Sequence, residues 1–275
     1  MNRTRWSDEA VVEQYSADGG GRMDIWSDPG EQAAVAAVAS RVRGVPILDL
    51  GVGGGRTTSL LRLLSDDYVG VDYTPAMVDA ARLNHPDVDL RLADARDLSG
   101  LPRAAFGLVV FSYNGLDAID HDGRQLALAE MAAALRPGGV LLYSTHNRSG
   151  PCFRATALHP AGSPVAHTWS RGYRLGFTAV GALTAPVRLP RAVRNRRRLQ
   201  PSVRDHGSWA VAPNEAHDFG LLLHYVTLAG VRAELDAVGL VLEAVFDAER
   251  GAPLALDSDP THARYFHVVA AKPAS

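Results

Sequence analysis

The sequence predicts an α/β fold with a doubly wound seven-stranded sheet, mostly parallel with an antiparallel last strand, and helices on both faces. Three observations predict this fold. Short apolar runs alternate with helical patterns from Val45 to Thr145. A cluster of glycines follows the first of these runs and opens a helix. Near the C-terminus, two strand-like runs follow each other without a clear helix between them.

Five apolar runs predict the parallel strands. They are Val45–Leu50, Asp67–Val71, Val88–Leu92, Leu108–Phe111 and Val140–Ser144. Helical spacing predicts the crossover helices Thr57–Leu64, Pro75–Leu83 and Arg124–Leu135. Thr74 is placed to cap the second of these helices, and the segment Arg136-Pro137-Gly138-Gly139 is typical of a helix end. Strands that alternate with helices form crossover units, and these units build a parallel sheet.

The last two strands have a different connection. A helical pattern over Val226–Val238 precedes strand-like runs at Leu240–Phe246 and Tyr265–Ala270. The residues between the two runs include Gly251 and Pro253 and show no clear helix. We therefore expect the last strand to run antiparallel, as a hairpin with its predecessor.

Two segments lie outside this pattern, although we interpret residues 1–275 as a single domain. Residues 1–44 carry helical patterns around a glycine cluster, and we interpret them as an N-terminal helical lid. Residues 146–216 show no sheet pattern, and such long insertions are usually lids or binding loops. Residues 151–210 carry ten arginines and one acidic residue, Asp205.

The composition excludes several classes of chemistry. Lys and Arg number 28 against 30 Asp and Glu, so the formal net charge of −2 argues against wholesale electrostatic capture of nucleic acid. A single cysteine, Cys152, excludes an internal disulfide and a multi-cysteine metal site. A single lysine, Lys272, excludes a P-loop. Neither a signal-peptide pattern nor an apolar span is visible, so we expect a cytoplasmic protein without a membrane partner.

The strongest local feature is an acidic residue followed by alternating glycines, Asp49-x-Gly51-x-Gly53-x-Gly55, after the first strand. Glycines let the backbone turn sharply and let a ligand approach closely. A dinucleotide-binding loop would follow the pattern Gly-x-Gly-x-x-Gly, but counting from Gly51 places Arg56 at the third glycine. An acid before the glycines suits a ligand that has an ammonium group and no pyrophosphate.

Two further acidic residues lie where an adenosine group would bind. Asp72 ends the second strand, where a ribose presents its hydroxyls to a carboxylate. Asp94 follows the third strand and is placed to accept a hydrogen bond from the adenine amino group. An adenosine joined to a group that carries an ammonium describes S-adenosylmethionine (SAM).

On these residues the chain resembles a class I SAM-dependent methyltransferase of the small-molecule, natural-product type. The motifs that carry the resemblance are Asp49–Gly55, Gly70–Met77, Ala93–Ala95, Phe106–Asn114 and Leu135–Gly139. They cover the first five predicted strands closely and the C-terminal strands loosely. Gly107 departs from the family, which often has Asp there, but that position is usually structural. The resemblance implies SAM as the cofactor and S-adenosylhomocysteine as its product.

The resemblance also implies which residues hold the cofactor. The glycine loop passes under the methionine moiety, Tyr15 forms a lid over it, and Met77 packs near the adenine. The full set of predicted cofactor-binding residues is Tyr15, Asp49, Gly51, Gly53, Gly55, Asp72, Tyr73, Met77, Asp94, Ala95 and Ser112.

The acceptor is expected over the carboxyl ends of strands four and five, because ligands of open α/β sheets bind at that edge. The predicted substrate-binding residues are Asn114, Asp117, His146, Asn147 and His224, and the predicted catalytic residues are His146, His224 and Tyr225. Each histidine also has a structural interpretation, His146 as a polar strand end and His224 as a buried core group. The sequence does not decide between oxygen, nitrogen and carbon as the methylated atom.

We expect no metal at this site. Asp117, Asp120, His121 and Asp122 lie close together in the sequence and could supply ligands. Such a cluster is more often a solvated helix start, so we interpret it as structural.

The sequence therefore predicts a SAM-dependent methyltransferase that acts on a small organic acceptor, in the setting of bacterial specialised metabolism. One alternative is an RNA methyltransferase that uses the basic tract Arg188–Arg204, although no aromatic residues are interleaved there. Another is a non-catalytic, SAM-binding regulatory subunit. We expect a small-molecule acceptor and no nucleic acid as partner, and a homodimer is left open.

Overall fold

Ten strands form one mixed sheet in the computed structural model, which describes residues 28–153, 186, 188–215 and 218–274. The strands are β1 (Ile47–Leu50), β2 (Tyr68–Asp72), β3 (Asp89–Leu92), β4 (Phe106–Phe111), β5 (Leu135–Asn147), β6 (Arg204–Asp205), β7 (Trp209–Pro213), β8 (Leu222–Val226), β9 (Val241–Asp247) and β10 (Tyr265–Ala271). The helices are α1 (Pro29–Val42), α2 (Thr58–Arg62), α3 (Pro75–Asn84), α4 (His121–Ala134), α5 (188–199) and α6 (Leu228–Ala237). Short 3₁₀ turns lie at Gly115–Ala118 and Gln200–Ser202.

The predicted α/β class is confirmed by the main part of the sheet. Its strands lie in the order β3-β2-β1-β4-β5-β10-β9, and β1 to β5 are parallel to one another. Strand β10 lies between β5 and β9 and runs antiparallel to both. The reversed last strand and its hairpin with the preceding strand are therefore present as predicted.

Three further strands extend the sheet beyond the end of β4. Strand β8 pairs in parallel with the end of β5, where Tyr225 faces His146. On the other edge of β5, His146 faces Tyr265 of β10. Strand β8 must therefore lie on the same edge as β4, whose last residue, Phe111, already faces Tyr143. Strands β7 and β6 continue outward from β8 as antiparallel neighbours.

The expectation that residues 146–216 contain no strand is wrong, because β6 and β7 lie within that range. Strand β7 is five residues long and ends at Pro213, and it pairs with β8, which comes later in the chain. The apolar run that forms β8 precedes α6. The predicted helix Val226–Val238 included Val226, which is the last residue of β8. Such short strands depend on long-range pairing, which a local pattern does not report.

The sheet separates two apolar cores. Along β4, Leu108 and Val110 point into the core that α1 covers, whereas Val109 and Phe111 point into the core that α4 and α6 cover. This alternation is the period of a strand whose two faces are both buried. Helices therefore cover both faces of the sheet, as the sequence predicts.

Side-chain caps fix where three of these helices begin. Asp28, Asp120 and Thr227 accept hydrogen bonds from the third backbone N–H of α1, α4 and α6 at 2.7, 3.0 and 3.0 Å. Thr74 occupies the capping position of α3 as predicted, but its side chain makes no capping hydrogen bond. Among the described residues, none of the helices has the length and apolar character that a bilayer crossing requires.

Helix α1 approaches the β9–β10 connection so closely that only glycine fits at Gly30. A Cβ atom there would lie 2.6 Å from the Cα of Ala248 and 2.7 Å from the backbone oxygen of Asp247. We expect Gly30→Ala to lower the free energy of unfolding by about 1–3 kcal/mol, because backbone must move to admit the methyl group. Urea denaturation measures this change.

Gly100→Ala is the matched control, since a Cβ at Gly100 meets no atom within 4 Å. Its free energy of unfolding should stay within about 0.5 kcal/mol of the wild-type value. Equal free energies of unfolding for the two variants would show that α1 does not dock as described.

Candidate active site

A cavity opens at the carboxyl ends of β1 to β4, the edge where ligands of open α/β sheets bind. Its wall includes Gly51–Gly54, Arg56 and Thr57 after β1, Asp72–Thr74 and Met77 after β2, Ala93–Arg96 after β3, and Ser112, Tyr113, Gly115 and Ala118–Asp120 after β4. Most of the predicted cofactor-binding residues line it, namely Gly51, Gly53, Asp72, Tyr73, Met77, Asp94, Ala95 and Ser112. Asp49 and Gly55 are not part of the wall, and Tyr15 lies outside the described residues.

The glycine loop has a backbone conformation that side chains would oppose. Gly51, Gly53 and Gly55 have φ angles of 65°, 55° and 96°. A Cβ at Gly51 would also lie 2.7 Å from the ring of Phe111. The alternating glycines are therefore needed for this turn, and they leave its backbone open to the cavity.

Asp72 joins the glycine loop to the end of β2. Its carboxylate accepts hydrogen bonds from the backbone N–H of Gly53 at 3.1 Å and of Thr74 at 2.8 Å. Burial raises the pKa of Asp72, although these N–H groups favour its ionised form. The carboxylate lies in the cavity wall with hydrogen-bonding capacity left for the hydroxyls of a ligand.

Asp49 lies beneath the loop and is almost fully buried. Its Oδ2 accepts hydrogen bonds from the hydroxyls of Thr57 at 2.5 Å and Tyr68 at 2.8 Å. Its Oδ1 is buried and has no hydrogen-bond partner among the described residues. Burial raises the pKa of Asp49 to about 6, against the opposing effect of the two hydroxyls. An unpaired buried carboxylate oxygen suits a nearby positive charge.

Asp94 follows β3 and forms part of the cavity wall at that strand. Its carboxylate forms a two-point ion pair with Arg96, with distances of 2.6 and 2.9 Å to the guanidinium nitrogens. It also accepts a hydrogen bond from the backbone N–H of Arg96 at 3.0 Å. A ligand amino group that binds Asp94 would therefore share the carboxylate with Arg96.

Glu31 and Arg56 form a buried ion pair that the sequence analysis missed. The two guanidinium nitrogens of Arg56 lie 2.7 and 2.9 Å from the carboxylate oxygens of Glu31. Ser112 donates a hydrogen bond to Glu31 and lies 2.6 Å from Arg56. Burial alone would raise the pKa of Glu31, but Arg56 and Ser112 outweigh it and lower the pKa to about 2.

A local signal for Glu31 exists in the sequence. An acidic cap followed three residues later by Glu, here Asp28 and Glu31, is the pattern of a capping box. The carboxylate of Glu31 turns to Arg56 in the glycine loop instead, so α1 is fastened to the cavity wall. The partner could not be predicted, because Arg56 lies 25 residues away in the chain.

The chain leaves β4 through two consecutive residues with left-handed backbone conformation. Tyr113 and Asn114 have φ angles of 54° and 57°. The backbone N–H of Asn114 donates to the Ser144 hydroxyl at 2.7 Å, and its buried Oδ1 has no hydrogen-bond partner among the described residues. Asn114 is a predicted substrate-binding residue, and its Oδ1 atom is therefore an acceptor that the described residues leave unused next to the cavity wall.

Asp117 and His146 form a hydrogen-bonded pair at the ends of β4 and β5. The Nδ1 atom and the backbone N–H of His146 each lie 2.7 Å from Oδ2 of Asp117. The other oxygen of Asp117 accepts hydrogen bonds from Arg124 at 2.7 Å and from the Thr145 hydroxyl at 2.6 Å. Asp117 was predicted to bind substrate, but it is fully buried, so its contact is with His146 rather than with a ligand.

His224 and Tyr225, the other predicted catalytic residues, are buried in β8. The Nε2 atom of His224 lies 3.2 Å from Nδ1 of His121, and its ring stacks with Trp209 at 5.4 Å. Burial and the nearby charge of Arg124 lower the pKa of His224 to about 2. Burial raises the pKa of Tyr225, whose hydroxyl accepts a hydrogen bond from Asn214. These environments favour structural roles for both residues.

Asn147 is also enclosed by protein. Its side-chain amide donates to the backbone oxygens of Pro260 at 2.6 Å and Ala263 at 2.9 Å, and its oxygen accepts from the backbone N–H of Ser149. The first two of these hydrogen bonds hold the loop before β10 against the end of β5, and the third stabilises the turn that follows β5. A direct contact of Asn147 with substrate would require them to break.

Within the described residues, His121, His224 and Glu234 have donor atoms close enough to surround a metal ion, within 4.8 Å of one another. Both oxygens of Glu234, however, already face the guanidinium of Arg124 at 3.0 to 3.1 Å. A cation in this place would lie beside a buried positive charge. The arrangement therefore fits a hydrogen-bonded core better than a metal site.

Comparison with known proteins adds independent findings. Residues 47–139 match the family model described as a methyltransferase domain. A ubiquinone biosynthesis O-methyltransferase of Xanthomonas campestris is 32% identical over 123 residues, which are 42% of this chain and 50% of that relative. A probable SAM-dependent methyltransferase of Mycolicibacterium smegmatis is 35% identical over 113 residues, 40% of this chain and 42% of the relative. The chain thus spans about half the length of these curated relatives, or less.

The fold is similar to solved methyltransferase structures over most of the chain. The CcbJ methyltransferase of Streptomyces caelestis aligns with a TM-score of 0.56 and 18% identity, over 90% of this chain and 90% of that chain. A SAM-dependent methyltransferase of Mesorhizobium loti aligns with a TM-score of 0.54 and 19% identity, over 88% and 97%. Residues 47–139 therefore match a methyltransferase domain in sequence, and the chain shares the fold of the solved methyltransferases with which it aligns.

Proposed function

We propose that this protein is an enzyme that transfers a methyl group from SAM to a small organic acceptor and releases S-adenosylhomocysteine. The observation that carries the proposal is the meeting of three features at one cavity. These are the glycine loop after β1, the carboxylate of Asp72 after β2, and the unpaired oxygen of Asp49 beneath the loop. SAM supplies a methyl group attached to a positively charged sulfur. After transfer the sulfur is a neutral thioether, which makes it a good leaving group.

The residues of the cavity fit the parts of SAM. Asp72 would accept hydrogen bonds from the ribose hydroxyls, with Tyr73 beside it. Met77, Asp94 and Ala95 would surround the adenine. The glycine loop would pass along the methionine moiety, where the charge of Asp49 would favour its ammonium group, and we propose Tyr15 as the lid over this end.

Two residues at the end of the sheet beyond β4 support the proposal that the acceptor binds there. Asn114 and His146 lie there with an unpaired oxygen atom and a part-exposed imidazole. Similar structures include a methyltransferase with bound 1,6-didemethyltoxoflavin and an aminopentose methyltransferase of calicheamicin biosynthesis. We propose an acceptor of comparable size, a role in bacterial specialised metabolism, and acceptor-binding or lid functions for residues 1–44 and 146–216.

The arginines of the basic tract do not point to RNA as the acceptor. Arg188 forms an ion pair with Asp218 at 2.6 Å, and the guanidinium of Arg196 lies 5.3 Å from the ring centre of Phe219. Part of the tract therefore binds the protein itself. An RNA substrate would make binding fall steeply with salt, so equal RNA retention at 50 and 200 mM salt would exclude it.

Isothermal titration with SAM and with NAD tests the cofactor assignment. We expect heat of binding with SAM and none with NAD, because no diphosphate-binding loop is present among the described residues. Binding of NAD alone would overturn the proposed function. Binding of SAM without methyl transfer to any small molecule would favour the regulatory-subunit alternative.

Replacing Asp72 should weaken SAM binding. We expect Asp72→Ala to cost about 1–3 kcal/mol of binding free energy, since the ribose hydroxyls lose their charged acceptor. Asp79→Ala, on the exposed side of α3, should leave the affinity unchanged. Thermal melting without SAM controls for the lost bonds to Gly53 and Thr74, and Asp72→Asn keeps an acceptor for one of the two N–H groups.

The affinity for SAM should also depend on pH through Asp49. Its pKa of about 6 means that the carboxylate is mostly ionised at pH 7 and mostly protonated at pH 5. Only the ionised form attracts the ammonium group, so we expect affinity about tenfold lower at pH 5 than at pH 7. Titration calorimetry at several pH values measures this. In Asp49→Asn the difference should shrink strongly, and an unchanged pH dependence in that variant would remove Asp49 from the binding site.

A further inference from the structure

The pair formed by Asp117 and His146 has the geometry of an oriented base. Asp117 is fully buried, and its two oxygens accept hydrogen bonds from Arg124, the Thr145 hydroxyl and the backbone N–H of His146, while Nδ1 of His146 also lies against Oδ2. These distances run from 2.6 to 2.7 Å. Three donors whose direction is fixed therefore already use both oxygens of Asp117 as acceptors.

This arrangement fixes the state of the imidazole. Because both oxygens of Asp117 already accept from fixed donors, the contact at Nδ1 is satisfied when the neutral imidazole of His146 donates there, which leaves the lone pair on Nε2. Nε2 has no hydrogen-bond partner in the part of the chain that the structure describes, and the His146 side chain is 12% exposed. The Nε2 lone pair is therefore available to a ligand.

The charge of Asp117 is set by a second layer of the same network. Arg124 is fully buried and binds both Asp117 and Glu234, so its positive charge is shared between two carboxylates. Asp117 therefore keeps enough negative charge to stabilise a positive imidazole when His146 takes up a proton. Glu234 thus affects the charge near Asp117 through Arg124, without any contact with His146 among the described residues.

Asp117 of this pair lies in a turn that borders the cavity that we assign to SAM. Asp117 belongs to the turn Gly115–Ala118, and Gly115 and Ala118 are part of the cavity wall. His146 lies at the end of β5, between the rings of Tyr225 at 5.3 Å and Tyr265 at 6.0 Å. These aromatic neighbours make the surroundings of the imidazole ring partly apolar, and methyl transfer proceeds best where water is excluded.

We propose that the acceptor is a hydroxyl group and that His146 is the base that removes its proton, with Asp117 and Arg124 as positioning residues. This inference rests on the proposed function. An uncharged amine already has a free lone pair, whereas a neutral hydroxyl becomes a good nucleophile only as its proton leaves. In the step, the acceptor oxygen forms a bond to the methyl carbon while the carbon–sulfur bond breaks. The sulfur keeps the electron pair, and the hydroxyl proton passes to Nε2 of His146.

The first experiment reads the imidazole directly and needs no acceptor. Protein labelled with ¹⁵N-histidine is recorded in long-range ¹H–¹⁵N NMR spectra, with His146→Gln used to assign the signal. We expect the Nδ1–H form of His146 in the wild type and a mixture of both forms in Asp117→Asn. An Nε2–H form in the wild type would overturn the proposal, because Nε2 could not then accept a proton.

The second experiment compares acceptors of matched shape. Methyl transfer from radiolabelled SAM is measured with catechol, 4-hydroxybenzoate and benzyl alcohol, and with the corresponding anilines and benzylamine. We expect methylation of hydroxyls, with turnover in His146→Gln at least about 100-fold lower. Affinity for SAM should remain unchanged in that variant. Methylation confined to the amines, or turnover in His146→Gln equal to the wild type, would overturn the proposal.

Two controls separate this inference from the proposed function. His262→Gln, which changes a half-exposed histidine on the loop before β10, should keep the wild-type turnover. A wild-type protein that binds no SAM in calorimetry would refute the proposed function itself, whereas one that binds SAM and methylates only amines refutes the hydroxyl acceptor alone. His146→Gln leaves the hydrogen bonds of Arg124 to Asp117 and Glu234 intact. This variant therefore tests the role of His146 even if Asp117→Asn does not fold.

Discussion

The buried guanidinium of Arg124 is the charge on which the acceptor side of the site depends. It binds Asp117 in the turn after β4 and Glu234 in α6, and both ion pairs are removed from solvent. A charge in such a place costs several kcal/mol unless it is fully compensated. Because these bonds join the turn, α4 and α6, they fix the end of β5 and hence the place of His146. The same residue that compensates two buried carboxylates in the core thus also fixes the geometry of the Asp117–His146 pair.

The two halves of the cavity are held by different kinds of interaction. The cofactor half depends on backbone conformation, through the positive φ angles of the glycine loop and the hydrogen bond between Gly53 and Asp72. The acceptor half depends on side-chain charges and their partners, as in the bonds from Arg124 and His146 to Asp117. The Glu31–Arg56 pair connects the first half to α1.

This difference explains how much of the molecule could be predicted from the sequence. Hydrophobic periodicity and the glycine spacing are local, so they located seven strands, and most of the predicted cofactor-binding residues lie in the cavity wall. The roles of Asp117 and His224 are not local. Asp117 meets His146 across 29 residues, and His224 is surrounded by α4 and β7, which no pattern around it reports. Strands β6 and β7 were missed for the same reason, because their stability comes from pairing with β8.

The turn after β4 determines how this site would respond to selection for stability. Tyr113 and Asn114 hold consecutive left-handed conformations that ordinary side chains disfavour, at a cost of about 1–2 kcal/mol per residue. Glycine at either place would relieve that strain and make the protein more robust. It would also remove the Tyr113 ring that lies over Arg56, or the Asn114 side chain next to the cavity wall. Selection for thermal tolerance alone would therefore favour the loss of side chains at the cavity, so more stable variants obtained by such a screen should be checked first at these two positions.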